Sequence, residues 1–376
     1  MIINNVKLVL ENEVVHGSLE VQDGEIRAFA ESQSCQPEAM DGEGGWLLPG
    51  LIELHTDNLD KFFAPRPKVD WPAHSAMSSH DALMVASGIT TVLDAVAIGD
   101  VRDGGDRLEN LEKMINAIEE TQKRGVNRAE HRLHLRCELP HHTTLPLFEK
   151  LVQREPVTLV SLMDHSPGQR QFANREKYRE YYQGKYSLTD AQMQQYEEEQ
   201  LALAARWSQP NRETIAAMCR ARHIASHDDA THAHVAESHQ LGSVIAEFPT
   251  TFEAAEASRK HGMNVLMGAP NIVRGGSHSG NVAASELAQL GLLDILSSDY
   301  YPASLLDAAF RVADDESNRF TLPQAVKLVT KNPAQALNLQ DRGVIGEGKR
   351  ADLVLAHRKG NHIHIDHVWR QGKRVF

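Results

Sequence analysis

Eight short apolar runs, each ending in polar residues and separated from the next by a helical stretch, constrain this chain more than any other feature. They are WLLPGLIELHTD (46–57), ITTVLDAVA (89–97), RLHLRCEL (132–139), VTLVSLMDH (157–165), HIASHDD (223–229), SVIAEFP (243–249), NVLMGAP (264–270) and LDILSSDYY (293–301). Parallel strands covered on both faces read as near-continuous apolar runs, and eight of them alternating with helices predict a (β/α)8 barrel of the TIM type. An open doubly wound sheet would carry a glycine-rich nucleotide loop after its first strand, and the sequence has none there. The helices between the runs are plain in RLENLEKMINAIEETQKRG (107–125) and TTFEAAEASRKHG (250–262).

Both ends of the chain read differently. Residues 2–10, 13–21 and 25–30 are short β-type runs, and the last 34 residues alternate apolar and polar side chains. This predicts a small discontinuous β domain built from residues 1–46 and 341–376 around a barrel of residues 47–340. The segment 168–222 between the fourth and fifth runs is long, charged and holds five tyrosines. Loops of that length usually carry function, and it reads as helical excursions over the barrel mouth.

Charge and cysteine usage exclude several classes. The 51 acidic residues outnumber 39 basic ones for a net charge of −12, which argues against nucleic acid or an anionic membrane as partner. Three scattered cysteines imply no disulfide framework. The opening MIINNVKLVLENEVV lacks a basic head and apolar core, and no apolar run reaches the roughly 20 residues that span a bilayer. A cytoplasmic enzyme is expected, with self-association left open.

In a barrel of this type the chemistry sits at the C-terminal strand ends. Strand one ends His55-Thr56-Asp57, and residues two apart face the same side. Strand three ends at Glu138, four at Asp164-His165, five at His227-Asp228-Asp229, six at Glu247 and eight at Asp299. Imidazoles mixed with carboxylates suit one or two divalent transition metals, Zn²⁺ first, with Mn²⁺, Ni²⁺ or Fe as others, over Ca²⁺. The competing reading is that the aspartates cap the following helices.

PGLIELHTD resembles the first-strand signature of the amidohydrolase superfamily, PG-[LI]-I-D-x-H-x-H, and GVIGEGKRADLVL (343–355) is similar to its return into the terminal β domain. LHTDNLDKFFAPRPKVDWP, LMDHSPGQRQF, SHDDAT, EFPTT, GAPNIVRGGSHSGN and SDYYP resemble a branch that hydrolyses a ribose 1-methylphosphonate 5-triphosphate to the 5-phosphate and pyrophosphate during phosphonate breakdown. The resemblance implies a metal set of His55, Asp57, Glu138, His165, His227 and Asp299. Asp57 stands where the second histidine is usual, and Glu138 replaces a metal-bridging lysine. Asp299 matches the aspartate that handles the proton of the nucleophilic water. Whether Glu247 binds metal stays open.

A triphosphate needs cationic donors around its oxygens. Lys61, Arg66 and Lys68 follow strand one, Arg170 follows strand four and Arg274 follows strand seven. Gly275, Gly276, Ser277 and His278 read as a backbone nest for phosphate, with a plain flexible turn as the alternative. His131 and His134, at the start of strand three, are read as uninvolved. Ser78-Ser79 reads as a helix start, with Asp81 in its first turn. Two rivals remain: a cyclic amidohydrolase or N-acetyl deacetylase of the same superfamily, and a metal-free barrel that serves as a binding protein.

Overall fold

The computed structural model describes residues 1–99, 106–219, 221–277 and 280–376, with side chains of 106–109 left aside. All eight apolar runs form strands of one parallel sheet, hydrogen-bonded in chain order. These strands are Leu51–Thr56, Ile89–Ile98, Glu130–Glu138, Val157–Met163, His223–His227, Ser243–Glu247, Asn264–Gly268 and Ile295–Ser297. A parallel bridge between Thr56 and Asp299 brings the first strand against the end of the last, so the sheet is a nearly closed barrel. Every residue of Leu51–Thr56 is buried, as a strand covered on both faces requires.

The chain divides into two compact units, one of Met1–Asp94, Asn116–Arg132 and Leu266–Phe376, the other of Ala95–Ile115 and Leu133–Val265. The first contains a second sheet made by the termini. Its order is Lys373–Arg374, His362–Arg370, Leu353–Lys359, Trp46–Pro49, Ile2–Val9, Val14–Gln22 and Glu25–Ala30, with Met40–Asp41 also against Ile2–Val9. Alternating side chains such as Ile3, Leu8, Leu19, Leu47, Leu353 and Trp369 form its core.

The run 46–57, expected to be a single strand, serves both sheets. Trp46–Pro49 pairs with Leu353–Lys359, and only after Gly50 does the chain enter the barrel. A Cβ at Gly50 would lie 2.1 Å from Thr90 Oγ1, so this crossing requires glycine. A further correction concerns Ser78-Ser79. The helix spans Ala73–Ala86 and starts behind Pro72, which places the serine pair in mid-helix.

The second unit holds the long insertion, folded as helices Arg175–Tyr186 and Asp190–Met218. Asn174 and Thr189 accept from the first-turn amides of these helices, which starts each at a defined residue. Their facing sides pack Phe172, Tyr178, Tyr182, Met193 and Tyr196 into a separate aromatic core. Asn211 ties the long helix to the end of the third barrel strand by donating to the Leu139 and His141 carbonyls.

Candidate functional site

In the first unit the site grows from the junction of the first and last barrel strands. Asp299 N–H donates to the His55 carbonyl at 3.1 Å, and Asp57 N–H donates back to the Asp299 carbonyl at 3.3 Å. Asp299 follows the short strand Ile295–Ser297 in a left-handed conformation, φ +53°, unusual for a residue with a Cβ. That turn swings its carboxylate toward the imidazole of His55, which is buried. His55 Nε2 lies 3.8 Å from Asp57 Oδ2 and 3.9 Å from Asp299 Oδ1. Donor atoms of these three residues all lie within 4.8 Å of one another, a spacing that accommodates a cation among them.

Beneath them lies a residue that the sequence reading passed over. Glu53 is fully buried and accepts from His55 N–H at 2.8 Å and from Ser298 N–H at 2.6 Å. Burial pushes its carboxyl up to about 7, against the pull of the Ser298 and His55 donors. One carboxyl group thus fixes the strands carrying both His55 and Asp299. A glutamate two residues before His55, inside an otherwise apolar run, was the available signal.

The second unit assembles the other predicted ligands. His165 Nδ1 lies 2.7 Å from Glu138 Oε1, and its Nε2 is 3.4 Å from Asp228 Oδ2. The same Asp228 oxygen is 3.4 Å from His227 Nε2. Asp228 is left-handed at φ +57°, which turns its side chain back between the two imidazoles. Burial works against a charged His165, yet Glu138 and Asp228 outweigh it and push its pKa up to about 10. Carboxylates set against partly buried imidazoles in this way provide a negative field that also favours a divalent cation. The donor atoms of His165, His227 and Asp228 meet the same spacing criterion, and their chemistry fits a transition metal.

Glu247 now has a place. It is fully buried, with Oε2 3.0 Å from His227 Nδ1 and Oε1 3.4 Å from His134 Nε2. A carboxylate on Nδ1 directs the other nitrogen of His227 toward Asp228. His134, read from the sequence as uninvolved, makes one of these contacts. It sits fully buried in mid-strand, with Nε2 also 2.8 Å from Ser161 Oγ. His131 is buried as well, against Asp81 and Asp94. The aromatic core of the insertion reaches this cluster through Phe172, whose ring lies edge-on to His165 with centroids 6.2 Å apart.

The cations separate into two kinds. Lys61 and Arg274 both contact Tyr300, the residue after Asp299, but at different groups: Lys61 Nζ reaches its carbonyl at 3.5 Å, and Arg274 Nη1 reaches its hydroxyl at 3.4 Å. Arg66 and Lys68 are exposed in the loop after the first strand's helix. Gly275 caps the Ala269–Arg274 helix at φ +81° and Gly276 follows at φ +145°, so two glycines hold conformations that favour glycine ahead of Ser277. His278 lies outside the described residues.

Arg170 differs from the other cations. It is 3% exposed and donates to Asp229 at 2.6 Å and to Glu237 at 3.3 Å. Its guanidinium pairs with the buried carboxylate of Asp229 and the partly exposed one of Glu237, contacts that the sequence position alone does not disclose. Arg170→Ala is expected to lower stability by ~3–5 kcal/mol, because it leaves Asp229 buried and uncompensated. A urea unfolding midpoint equal to wild type, together with a raised KM, would return Arg170 to the phosphate-binding set.

The amidohydrolase family model matches residues 82–376. A curated relative, alpha-D-ribose 1-methylphosphonate 5-triphosphate diphosphatase of Escherichia coli (strain K12), is 97% identical over 378 aligned positions, covering 100% of each chain. Among solved structures, 5-methylcytosine deaminase from Klebsiella pneumoniae is 17% identical with a TM-score of 0.63, covering 100% of this chain and 98% of its own. N-acetylglucosamine-6-phosphate deacetylase from Thermotoga maritima is 14% identical with a TM-score of 0.58, covering 100% of this chain and 99% of its own. These two likenesses concern the fold. On the family match and the near-identity to the curated relative, this chain belongs to the amidohydrolase family.

Proposed function

We infer that this chain is a metal-dependent hydrolase that cleaves α-D-ribose 1-methylphosphonate 5-triphosphate to the 5-phosphate and pyrophosphate, as the name of its 97%-identical relative indicates. The structural observation that supports the reading is that Lys61 and Arg274 both contact Tyr300, the residue after Asp299, one at its carbonyl and the other at its hydroxyl. A neutral amide needs no cations near it, whereas a polyphosphate does.

His55, Asp57 and Asp299 would hold one divalent cation, and His165, His227 and Asp228, backed by Glu138 and Glu247, another, with Zn²⁺ the first choice. Such a cation, when bound, lowers the pKa of coordinated water from about 15.7 toward about 7. Asp299 takes up the proton as attack on the phosphorus nearest the sugar proceeds. Its left-handed turn points the carboxylate at the His55 cluster, and Glu53 holds both strand ends in register. Pyrophosphate leaves as a stable anion, so the residues facing it must neutralise charge more than deliver a proton. Lys61 and Arg274, with Arg66 and Lys68 on the adjoining loop and the amides after Gly275, supply that charge. A sugar triphosphate does not cross a bilayer unaided, which supports a cytoplasmic setting.

The direct test is product analysis with ribose 1-methylphosphonate 5-triphosphate, ATP and an N-acyl sugar in parallel. Pyrophosphate and the 5-phosphate from the first substrate support the reading, and turnover of the N-acyl compound alone would replace it with amide hydrolysis. For the cations, Arg274→Ala is expected to raise KM or lower kcat/KM about tenfold to a hundredfold, the worth of one charge-assisted hydrogen bond at ~1.5–3 kcal/mol. Wild-type kinetics in Arg274→Ala and Lys61→Ala alike would place the phosphate site elsewhere.

A further inference from the structure

We propose that His80, Asp94 and His131 form a further metal site in the first unit, one that takes a divalent transition cation such as Zn²⁺ and pins the helix Ala73–Ala86 to the barrel sheet. The three come from different elements: His80 from that helix, Asp94 from the second barrel strand and His131 from the third. His80 Nε2 is 2.6 Å from Asp94 Oδ1, and His131 Nδ1 is 2.8 Å from Asp94 Oδ2. Donor atoms from all three lie within 4.8 Å of one another, and none of the three side chains is more than 1% exposed. Two imidazoles and a carboxylate whose second oxygen can also bind give up to four N and O donors, a set that suits Zn²⁺.

The surroundings favour a metal over a cluster held by protons alone. Behind His131, Asp81 Oδ1 lies 2.9 Å from Nε2. Asp81 is itself held by the Arg128 and Ala129 amides at 2.8 and 2.9 Å. A carboxylate on the far nitrogen of an imidazole fixes its tautomer and turns the near nitrogen's lone pair to a metal, the usual support for a metal-binding histidine. Charge points the same way. Asp81 and Asp94 place two negative charges where water does not reach. Two imidazoles face them, with ring centroids 5.6 Å apart. Arg128, which pairs with Asp81 at 3.8 Å, is half exposed. A divalent cation balances the pair with both imidazoles neutral, and His131 still donates its Nε2–H to Asp81.

The experiment is an anomalous-difference map from crystals of the unmodified, metal-replete protein, collected on both sides of the zinc absorption edge, with elemental analysis of the same preparation. The expected result is a peak bounded by His80, Asp94 and His131, separate from any peak at His55 or His227. His80→Ala is expected to lose one metal equivalent per chain and to retain those at the other clusters. Asp81→Asn, which keeps all three ligands, is expected to weaken this site about tenfold to a hundredfold against a chromophoric chelator. A map without a peak there overturns the proposal, as does unchanged metal content in His80→Ala. Should His80→Ala not fold, the map of the unmodified protein decides alone.

Discussion

Replacing His55 with alanine is expected to abolish turnover and to lower the metal content of the purified protein, which in wild type should be at least one equivalent of Zn, Mn, Ni or Fe per chain. His55 is 1% exposed and faces both Asp57 and Asp299, and it is the imidazole of that trio. Without it two carboxylates remain, an oxygen-only pair that suits Mg²⁺ or Ca²⁺ better than Zn²⁺. The fold should persist, because the strand ends are fixed by the backbone pairing of His55 with Asp299 and by Glu53 accepting from the His55 and Ser298 amides. None of these contacts uses the imidazole. Elemental analysis, far-ultraviolet circular dichroism and pyrophosphate release measured on one preparation separate loss of metal from loss of fold. Full activity of the wild-type protein after exhaustive chelation would remove the metal from the account altogether.

The barrel was legible because its strands are buried on both faces: their pattern is local, and each ends where polar residues emerge. The polar strand ends were legible for the same reason. His55, Asp57 and Asp299 meet in one cluster, while Glu138, His165 and His227 meet in another, as residues at one end of a parallel sheet can. What was hidden depends on partners far away in the chain. Arg170 stands in a loop rich in polar residues, yet Asp229 and Glu237, about sixty residues on, draw it inward. His131 stands at the start of its strand and His134 in the middle, away from the strand end where function is sought, and their contacts to Asp81, Asp94, Ser161 and Glu247 appear only in the fold. Left-handed φ at Asp228 and Asp299 is imposed by the tertiary structure as well, because a short strand followed by an aspartate does not announce it. Glu53 and Asp94 were omissions with a local signal, each a charged residue inside an apolar strand.

Asp299→Asn tests proton transfer apart from metal binding, and kcat is expected to fall by about 10²–10⁴, the usual contribution of a positioned acid or base. Asparagine keeps the shape and one oxygen, and it tolerates a left-handed backbone, so the turn at φ +53° carries over to the variant. The carbonyl that receives the Asp57 amide and the amide that donates to His55 are main-chain groups and are unchanged. Lys61 and Arg274, proposed to bind phosphate, likewise keep their contacts to Tyr300, and KM should therefore stay near wild type. What the variant lacks is an oxygen that accepts a proton at neutral pH. The acidic limb of the pH–rate profile should vanish with it, since that limb needs a carboxylate to protonate. Metal content separates the two roles open to this side chain. If Asp299→Asn is purified without metal, the aspartate serves chiefly as a ligand, and the proton must go to another base. If metal is retained and the rate is wild type, Asp299 has no part in the reaction, and the chemistry does not pass through the junction of the first and last strands.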